Sequence, residues 1–234
     1  IDALKDNLDC KSTVKKILAE KPDVVGITCL TAFYIEVVKL SKLLKEHGLR
    51  VIIGGVHPTF LPLQTLKDSK ADFVVCGEGE ITLLKLLQAK FVAKNIPGVY
   101  SLKNINKTTF ITKAIAVANL DKLPFPDWEQ IDPRTYPQAP HGAIAKNFPI
   151  GIIMTTRGCP YMCSFCASPK FYDRKIRFRS VSNVIAEIKY LVKNFGIKEV
   201  HFEDDNLTLK RNHVEKLCKE IIKNKIKISW ACPN

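Results

Sequence analysis

The chain has 234 residues, of which 46% are hydrophobic and 25% charged, as in a globular protein with a buried core. No apolar run approaches the roughly 20 residues of a membrane span and no secretory signal is present, so we expect a cytoplasmic protein with room for two domains. The net charge of +13 is spread over predicted helices without interleaved aromatic residues, so a nucleic-acid partner is not expected.

Both ends of the chain resemble internal positions of a longer protein. The first residue is Ile1, and the last residues follow a predicted strand without a closing helix. We therefore expect a fragment that is cut at both ends and that does not turn over substrate by itself.

Residues 1–115 alternate short apolar runs with amphipathic stretches. The apolar runs predict strands at residues 23–29, 50–54 and 72–76. Helical spacing predicts helices at residues 33–47 and from residue 80 through 87. This alternation predicts an α/β domain of Rossmann-like (flavodoxin-like) type, with a parallel sheet and helices on both faces. Residues 98–112 are predicted to add a small hairpin.

Small and polar residues follow each predicted strand of this sheet. They are Thr28, Gly54, Gly55, His57, Gly77 and Glu78. Ligands of such sheets bind beyond the carboxyl ends of the strands, and glycine lets a ligand approach the backbone closely. The alternative is that these glycines only form tight turns. Because three strand ends share the feature, we expect a ligand site at this edge.

A proline-rich segment, residues 116–149, is predicted to be a linker with little regular structure. A second α/β segment, residues 150–234, follows it. Its predicted strands are 150–155, 198–202 and one beginning at 226, and its predicted helices are 181–194 and 211–223.

Three cysteines, Cys159, Cys163 and Cys166, lie in one loop directly after the strand at residues 150–155. Thiolates select zinc or iron–sulfur clusters, but a structural zinc site needs four ligands and this loop holds three. A cubane cluster normally takes four cysteines, so three would leave one iron open to another ligand.

The spacing Cys-x-x-x-Cys-x-aromatic-Cys, with Phe165 as the aromatic residue, resembles the signature of the radical S-adenosylmethionine (SAM) family. The resemblance implies a partial (β/α) barrel, a [4Fe–4S] cluster whose open iron chelates SAM, and reductive cleavage of SAM to a 5′-deoxyadenosyl radical. It also implies an electron donor such as flavodoxin or ferredoxin. Phe165 would pack near the adenine. The family's Gly-Gly-Glu is replaced by Glu203, Asp204 and Asp205, which suit the SAM ammonium group or, alternatively, cap a helix.

The first domain is similar to the cobalamin (B12)-binding domain attached to many radical SAM enzymes. The similarity is carried by Pro22–Thr28, Gly54–Thr59 and Gly77–Glu80, and by the linker sequence Leu120–Pro126. It implies that the six strand-end residues named above line cobalamin. The family's lower-ligand motif Asp-x-His-x-x-Gly is absent, and His57 is more easily explained as a turn histidine than as an axial ligand.

These resemblances imply a cobalamin-dependent radical SAM enzyme that transfers a methyl group to, or cyclises, an unactivated carbon of a small, lipid or tetrapyrrole-like substrate. One alternative is a methylthiotransferase acting on tRNA, which would need a second cluster from Cys10, Cys29 and Cys76. Another is a non-catalytic iron–sulfur or zinc module.

Overall fold

The computed structural model describes residues 1–106, 108–139 and 143–232, and it divides into two compact units, Ile1–Val117 and Ala118–Asn234. Each unit has its own core and is described by itself. In the described parts of the chain, no helix combines the length and the apolar composition needed to cross a bilayer.

The first unit contains four strands and five helices in the described residues. The strands are β1 (Val24–Thr28), β2 (Arg50–Gly54), β3 (Phe73–Val75) and β4 (Val99–Tyr100). The helices are α1 (Cys10–Ala19), α2 (Tyr34–Glu46), α3 (Val56–Phe60), α4 (Pro62–Ser69) and α5 (Glu80–Gln88).

The sheet order is β1-β2-β3-β4, with β1, β2 and β3 parallel. The register pairs Thr28 with Gly54, so the carboxyl ends of β1 and β2 lie side by side. Helices α1, α2 and α4 supply the core on one face, and α5 packs on the other. The predicted α/β class is confirmed.

The hairpin predicted at residues 98–112 is wrong. Strand β4 pairs antiparallel with β3, and the described residues 108–112 form no strand. Instead, the Tyr100 hydroxyl accepts a hydrogen bond from the backbone N–H of Thr112 at 2.7 Å. A side-chain hydrogen bond thus takes the place of backbone pairing between the two predicted strands. The sequence that connects them lacks the two-residue turn that favours a tight hairpin.

The second unit begins with the segment 118–149 and continues into a β/α pattern. Its strands are β5 (Ile150–Ile153), β6 (Thr156–Arg157), β7 (Arg177–Phe178), β8 (Glu199–Phe202) and β9 (Ser229–Ala231). Its helices are α6 (Ser168–Phe171), α7 (Val181–Phe195) and α8 (Arg211–Lys223). Strands β5, β8 and β9 form a parallel sheet in that order, and β6 and β7 form a short antiparallel ribbon.

Helix α7 shows how the sequence sets these elements. The Ser180 side chain accepts a hydrogen bond from the Asn183 N–H at 3.1 Å, and Gly196 ends the helix in a left-handed conformation. The apolar face between them packs with β5 and β8 into one core that also includes Trp128. The segment predicted as a linker therefore contributes a side chain to the core of this unit.

Candidate functional site

The three cysteines lie on an exposed loop between β6 and α6, at the carboxyl end of β5. Cys159 and Cys166 are partly buried and Cys163 is exposed. The Cys166 N–H donates to the Cys163 carbonyl at 3.1 Å, so this part of the loop is a tight turn. Within the described residues, no three Cys, His, Asp or Glu side chains converge closely enough to surround a metal ion.

The chemistry of this loop nevertheless fits a cluster with three thiolate ligands. All eight cysteines are free, and the described residues give these three thiols no hydrogen bond. Their neighbours Tyr161, Met162 and Phe165 are exposed, Phe165 to 91%. Soft thiols without other partners are the ligands that iron–sulfur clusters use.

The entry to the loop is fixed by backbone contacts. Gly158 has φ +94°, and a Cβ there would collide with the carbonyl of Lys175. Its N–H donates to Asp205 Oδ2 at 2.9 Å. Arg174 Nε donates to the Pro160 carbonyl at 3.2 Å. The chain is therefore anchored on both sides of Cys159.

Asp204 joins the acidic turn to the residues that precede the loop. It is fully buried, and its Oδ1 accepts hydrogen bonds from the backbone N–H groups and hydroxyls of Thr155 and Thr156. Burial raises the pKa of Asp204, although the four hydrogen bonds favour its ionised form. This carboxylate holds the end of β5 against the end of β8.

Glu203 occupies a different position. Its N–H donates to the Ile153 carbonyl at 3.0 Å and so extends the ladder of β8. Since Val200 and Phe202 join the core under α7, alternation directs Glu203 to the opposite face. Its carboxylate is partly exposed, and the described residues offer it no hydrogen bond or ion pair. Asp205 is partly exposed as well, but one of its oxygens accepts from the Gly158 N–H.

In the first unit, the carboxyl ends of β1, β2 and β3 are joined by close contacts. Gly55 has φ +104°, and a Cβ there would lie 2.8 Å from the Cys29 carbonyl oxygen. Thr59 Oγ1 donates to the Gly55 carbonyl at 2.7 Å and accepts from the Gly77 N–H at 2.8 Å. Gly55 therefore serves the packing of the loops, while Thr28 is exposed at the edge.

Gly77 and Glu78 contact the end of the first unit. A Cβ on Gly77 would lie 3.1 Å from Lys113 Cβ, and Glu78 Oε2 accepts from the Val117 N–H at 3.3 Å. Residues 113–117 thus pass over this part of the sheet edge. Gly54 has more room, since a Cβ there would meet only the Val75 carbonyl oxygen, at 3.9 Å.

His57 is buried rather than exposed to the edge. Its ring stacks on Tyr34 at 4.0 Å between centroids, and its Nδ1 lies 3.1 Å from Thr31 Oγ1. Burial lowers the pKa of His57, so the ring is neutral at pH 7. Its Nε2 has no hydrogen-bond partner among the described residues. The structure places His57 in helix α3, where its ring packs against Tyr34.

Cys29 and Cys76 are fully buried small residues. Burial raises the pKa of Cys29 to about 11 and that of Cys76 to about 12. Both thiols are therefore protonated at neutral pH, which disfavours them as ligands of a second cluster.

Several residues that support the loop were not identified from the sequence. Thr155 and Thr156 hold Asp204, and Arg179 donates to the backbone carbonyl of Met154 at 3.0 Å. Glu187, which binds Arg179, left a signal: it lies in the apolar phase of α7.

Two family models match the two units. The B12 binding domain matches residues 1–87, and the radical SAM superfamily matches residues 153–234. Together they confirm the two resemblances seen in the sequence.

Two curated relatives align with nearly the whole chain. An uncharacterized methyltransferase of Pyrococcus horikoshii is 32% identical over 236 positions, which cover 99% of this chain and 50% of the relative. The anaerobic magnesium-protoporphyrin IX monomethyl ester cyclase of Rubrivivax gelatinosus is 30% identical over 240 positions, which cover 99% of this chain and 42% of the relative. The chain thus spans about half the length, or less, of these curated relatives.

A solved structure shares the fold. TsrM from Kitasatospora setae, a radical SAM methyltransferase with cobalamin and a [4Fe–4S] cluster bound, matches with a TM-score of 0.67 and 22% identity, covering 93% of this chain and 44% of that chain. The family models, together with the relatives that align with nearly the whole chain, identify it as a radical SAM protein in which a B12-binding domain precedes the radical SAM domain.

Proposed function

We propose that the chain is the cofactor-binding part of a cobalamin-dependent radical SAM enzyme that methylates or cyclises an unactivated carbon centre. The observation that carries the proposal is the three-thiol loop at the carboxyl edge of one parallel sheet, preceded in the same chain by a glycine-lined edge of another. The relatives named above, a methyltransferase and a cyclase, support both reaction classes.

In the second unit, Cys159, Cys163 and Cys166 would hold a [4Fe–4S] cluster through their thiolates. Glu203 would accept hydrogen bonds from the ammonium group of SAM, because its carboxylate lies on the face of β8 opposite the helices. Asp204 and Asp205 would keep the loop in place through the bonds to Thr155, Thr156 and Gly158. Phe165 would cover the adenine.

In the first unit, Thr28 and Gly54 would line cobalamin, since they share one register position at the open edge. Gly55, His57, Gly77 and Glu78 would shape the loops around it. When bound, the cluster, SAM and cobalamin supply radical formation and a transferable methyl group, while the protein orients them and excludes water.

The proposed substrate is a small molecule of lipid or tetrapyrrole type, and the proposed electron donor is a flavodoxin or ferredoxin in the cytoplasm. The named substrate class of the Rubrivivax gelatinosus relative supports a tetrapyrrole. The eight free thiols are consistent with a reducing compartment.

The cluster assignment is tested with Cys163→Ala in the full-length protein, reconstituted anaerobically with iron and sulfide. Two thiolates do not hold the cluster in place, so bound iron and 5′-deoxyadenosine formation from SAM are expected to fall to background. Cys218→Ala, a partly buried thiol on α8, is the control and retains both. Deoxyadenosine formation by the Cys163 variant at the parental rate contradicts the assignment.

A further inference from the structure

A buried carboxylate on α7 requires an explanation. Glu187 is 1% exposed, on the same face as Val184, Ile188 and Leu191, where an apolar residue would pack at lower cost. Its Oε1 accepts a hydrogen bond from Trp128 Nε1 at 3.0 Å, across 59 residues of sequence. Its Oε2 lies 2.6 Å from Arg179 Nη1.

Arg179 extends this contact to the base of the cysteine loop. Its Nη1 donates to the Met154 carbonyl at 3.0 Å, and its backbone N–H donates to the Thr155 carbonyl at 2.9 Å. Its Nε donates to Asn183 Oδ1 at 2.7 Å, which fixes the guanidinium plane. Met154 and Thr155 connect β5 to β6, which leads into the cysteine loop.

The backbone of residues 154–156 is therefore held by an acceptor and by a donor, Asp204 and Arg179. Asp204 takes the N–H groups and hydroxyls of Thr155 and Thr156, and Arg179 takes the carbonyls of Met154 and Thr155. Fixing both the donors and the acceptors of a short backbone segment leaves it few alternative conformations.

We propose that Trp128 and Glu187 are positioning residues for the cysteine loop: they hold Arg179, and Arg179 sets the backbone from which the loop departs. Only one part of this proposal, the presence of a cluster on the loop, rests on the proposed function. The segment that follows the B12-binding domain in the chain thereby becomes part of the support of the cluster site, and it acts through a side chain rather than as a passive linker.

The first measurement needs no cofactor. Trp128→Phe keeps an aromatic ring but removes the N–H, and Glu187→Gln keeps the shape but removes the charge that holds Arg179. In the full-length protein without iron, hydrogen exchange in the peptide covering residues 154–158 is expected to be roughly tenfold faster in both variants, because a buried acceptor or cation loses its partner.

The matched control is Ile188→Val, a fully buried neighbour on the same helix that lies outside the network. This substitution removes one buried methylene group and so lowers the free energy of unfolding, but it does not contact Arg179. After correction for global stability, hydrogen exchange at residues 154–158 is therefore expected to stay within about twofold of the parental rate. If Ile188→Val accelerates this peptide as much as Trp128→Phe does, or if Trp128→Phe leaves it unchanged, the proposal is wrong.

The second measurement tests the consequence for the cluster. In protein reconstituted with iron and sulfide, both network variants are expected to show a changed electron paramagnetic resonance spectrum of the reduced cluster with SAM, and the double variant no further change than Glu187→Gln alone. If the spectral changes of the two single variants add up in the double variant, Trp128 does not act through Glu187 on Arg179, and the proposal is wrong. If parental protein takes up no cluster, the proposed function fails while the exchange experiment still decides the positioning role.

Discussion

The three acidic residues after β8 differ in surroundings although they are consecutive. Asp204 is enclosed and bonded to two threonines, Asp205 holds the Gly158 N–H, and Glu203 lies on the opposite face. The difference follows from strand alternation together with the bend of the chain after Phe202. Two residues of the turn thus support the loop, and among the described residues Glu203 has no such contact.

Asp204→Ala is expected to destabilise the protein strongly. It leaves the N–H groups and hydroxyls of Thr155 and Thr156, both fully buried, without their acceptor. Leaving several buried donors without their acceptor costs roughly 3 kcal/mol or more. Urea unfolding followed by circular dichroism measures the change.

The comparison for Asp204→Ala is Asp205→Ala, in which one backbone donor, the Gly158 N–H, loses its carboxylate acceptor. It is expected to cost about 1 kcal/mol. Equal losses in the two variants would contradict the central position assigned to Asp204.

Strand β8 begins with a buried carboxylate that ties three segments together. Glu199 accepts hydrogen bonds from the backbone of Lys146 and Asn147, from Ser229 Oγ at 2.6 Å and from His201 Nε2 at 2.9 Å. Burial by itself raises the pKa of Glu199, but the bonds from Ser229, His201, Asn147 and Lys146 outweigh it and lower the pKa to about 2. At the amino end of this sheet, one carboxylate therefore connects β8 to β9 and to the segment before β5.

Acid should weaken the fold through Glu199. Its pKa is about 2 in the folded state against an ordinary 4.5, so its contribution is complete above pH 4.5 and is lost as the pH falls from 4.5 towards 2. This difference between the two pKa values corresponds to about 3 kcal/mol in the free energy of unfolding. Unfolding free energies of the parental protein and Glu199→Gln, measured from pH 7 to pH 2.5, are expected to converge over this window.

Glu215→Gln is the control for this titration. Glu215 is exposed and pairs with Arg211 at 2.6 Å on the surface of α8, where an ion pair contributes little. Its pH profile should follow that of the parental protein. A Glu199→Gln profile parallel to the parental one throughout the window would show that Glu199 is not the titrating group.

At the edge of the first sheet, Gly54 is a better probe of cobalamin binding than Gly55. A side chain on Gly55 would strike the Cys29 carbonyl and disturb the loop, whereas a Cβ on Gly54 would have only the Val75 carbonyl oxygen within 4 Å, at an ordinary contact distance of 3.9 Å. Gly54→Leu should therefore weaken hydroxocobalamin binding by roughly tenfold, about 1.4 kcal/mol, by crowding the ligand. Absorbance titration gives the affinity.

Added bulk at the other end of the sheet controls for Gly54→Leu. Val24→Leu enlarges the first residue of β1, at the amino end, and should leave the affinity for hydroxocobalamin unchanged. Parental affinity in Gly54→Leu would place cobalamin elsewhere.

At the scale of the whole molecule, the two units have separate cores. The core of the first unit draws on α1, α2, α4 and α5, and that of the second on α7, α8 and the segment carrying Trp128. Damage to one cofactor site is therefore expected to leave the other intact. Cys163→Ala should bind hydroxocobalamin with parental affinity, and Gly54→Leu should retain parental iron content. Loss of both cofactors in either variant would contradict this independence.

The α/β architecture, the order of the strands along the chain and the thiol loop can all be predicted from the sequence. Periodicity located α8 at Arg211–Lys223 and α7 within a residue, because local propensity, the Ser180 cap and Gly196 agree there. The cysteine spacing was equally local, since the ligands of the loop lie within eight residues. The short ribbon of β6 and β7 was missed, because strands of two residues carry no periodic signal.

Which polar residues meet follows from the packing of the chain and not from local sequence. Nothing in the spacing of Trp128, Arg179 and Glu187 indicates that they share one network, and the identity of the buried acid among Glu203, Asp204 and Asp205 depends on how β8 aligns with β5. Such contacts join residues about 50 positions apart, and their partners are chosen by burial: a buried charge must find donors wherever the packed chain brings them.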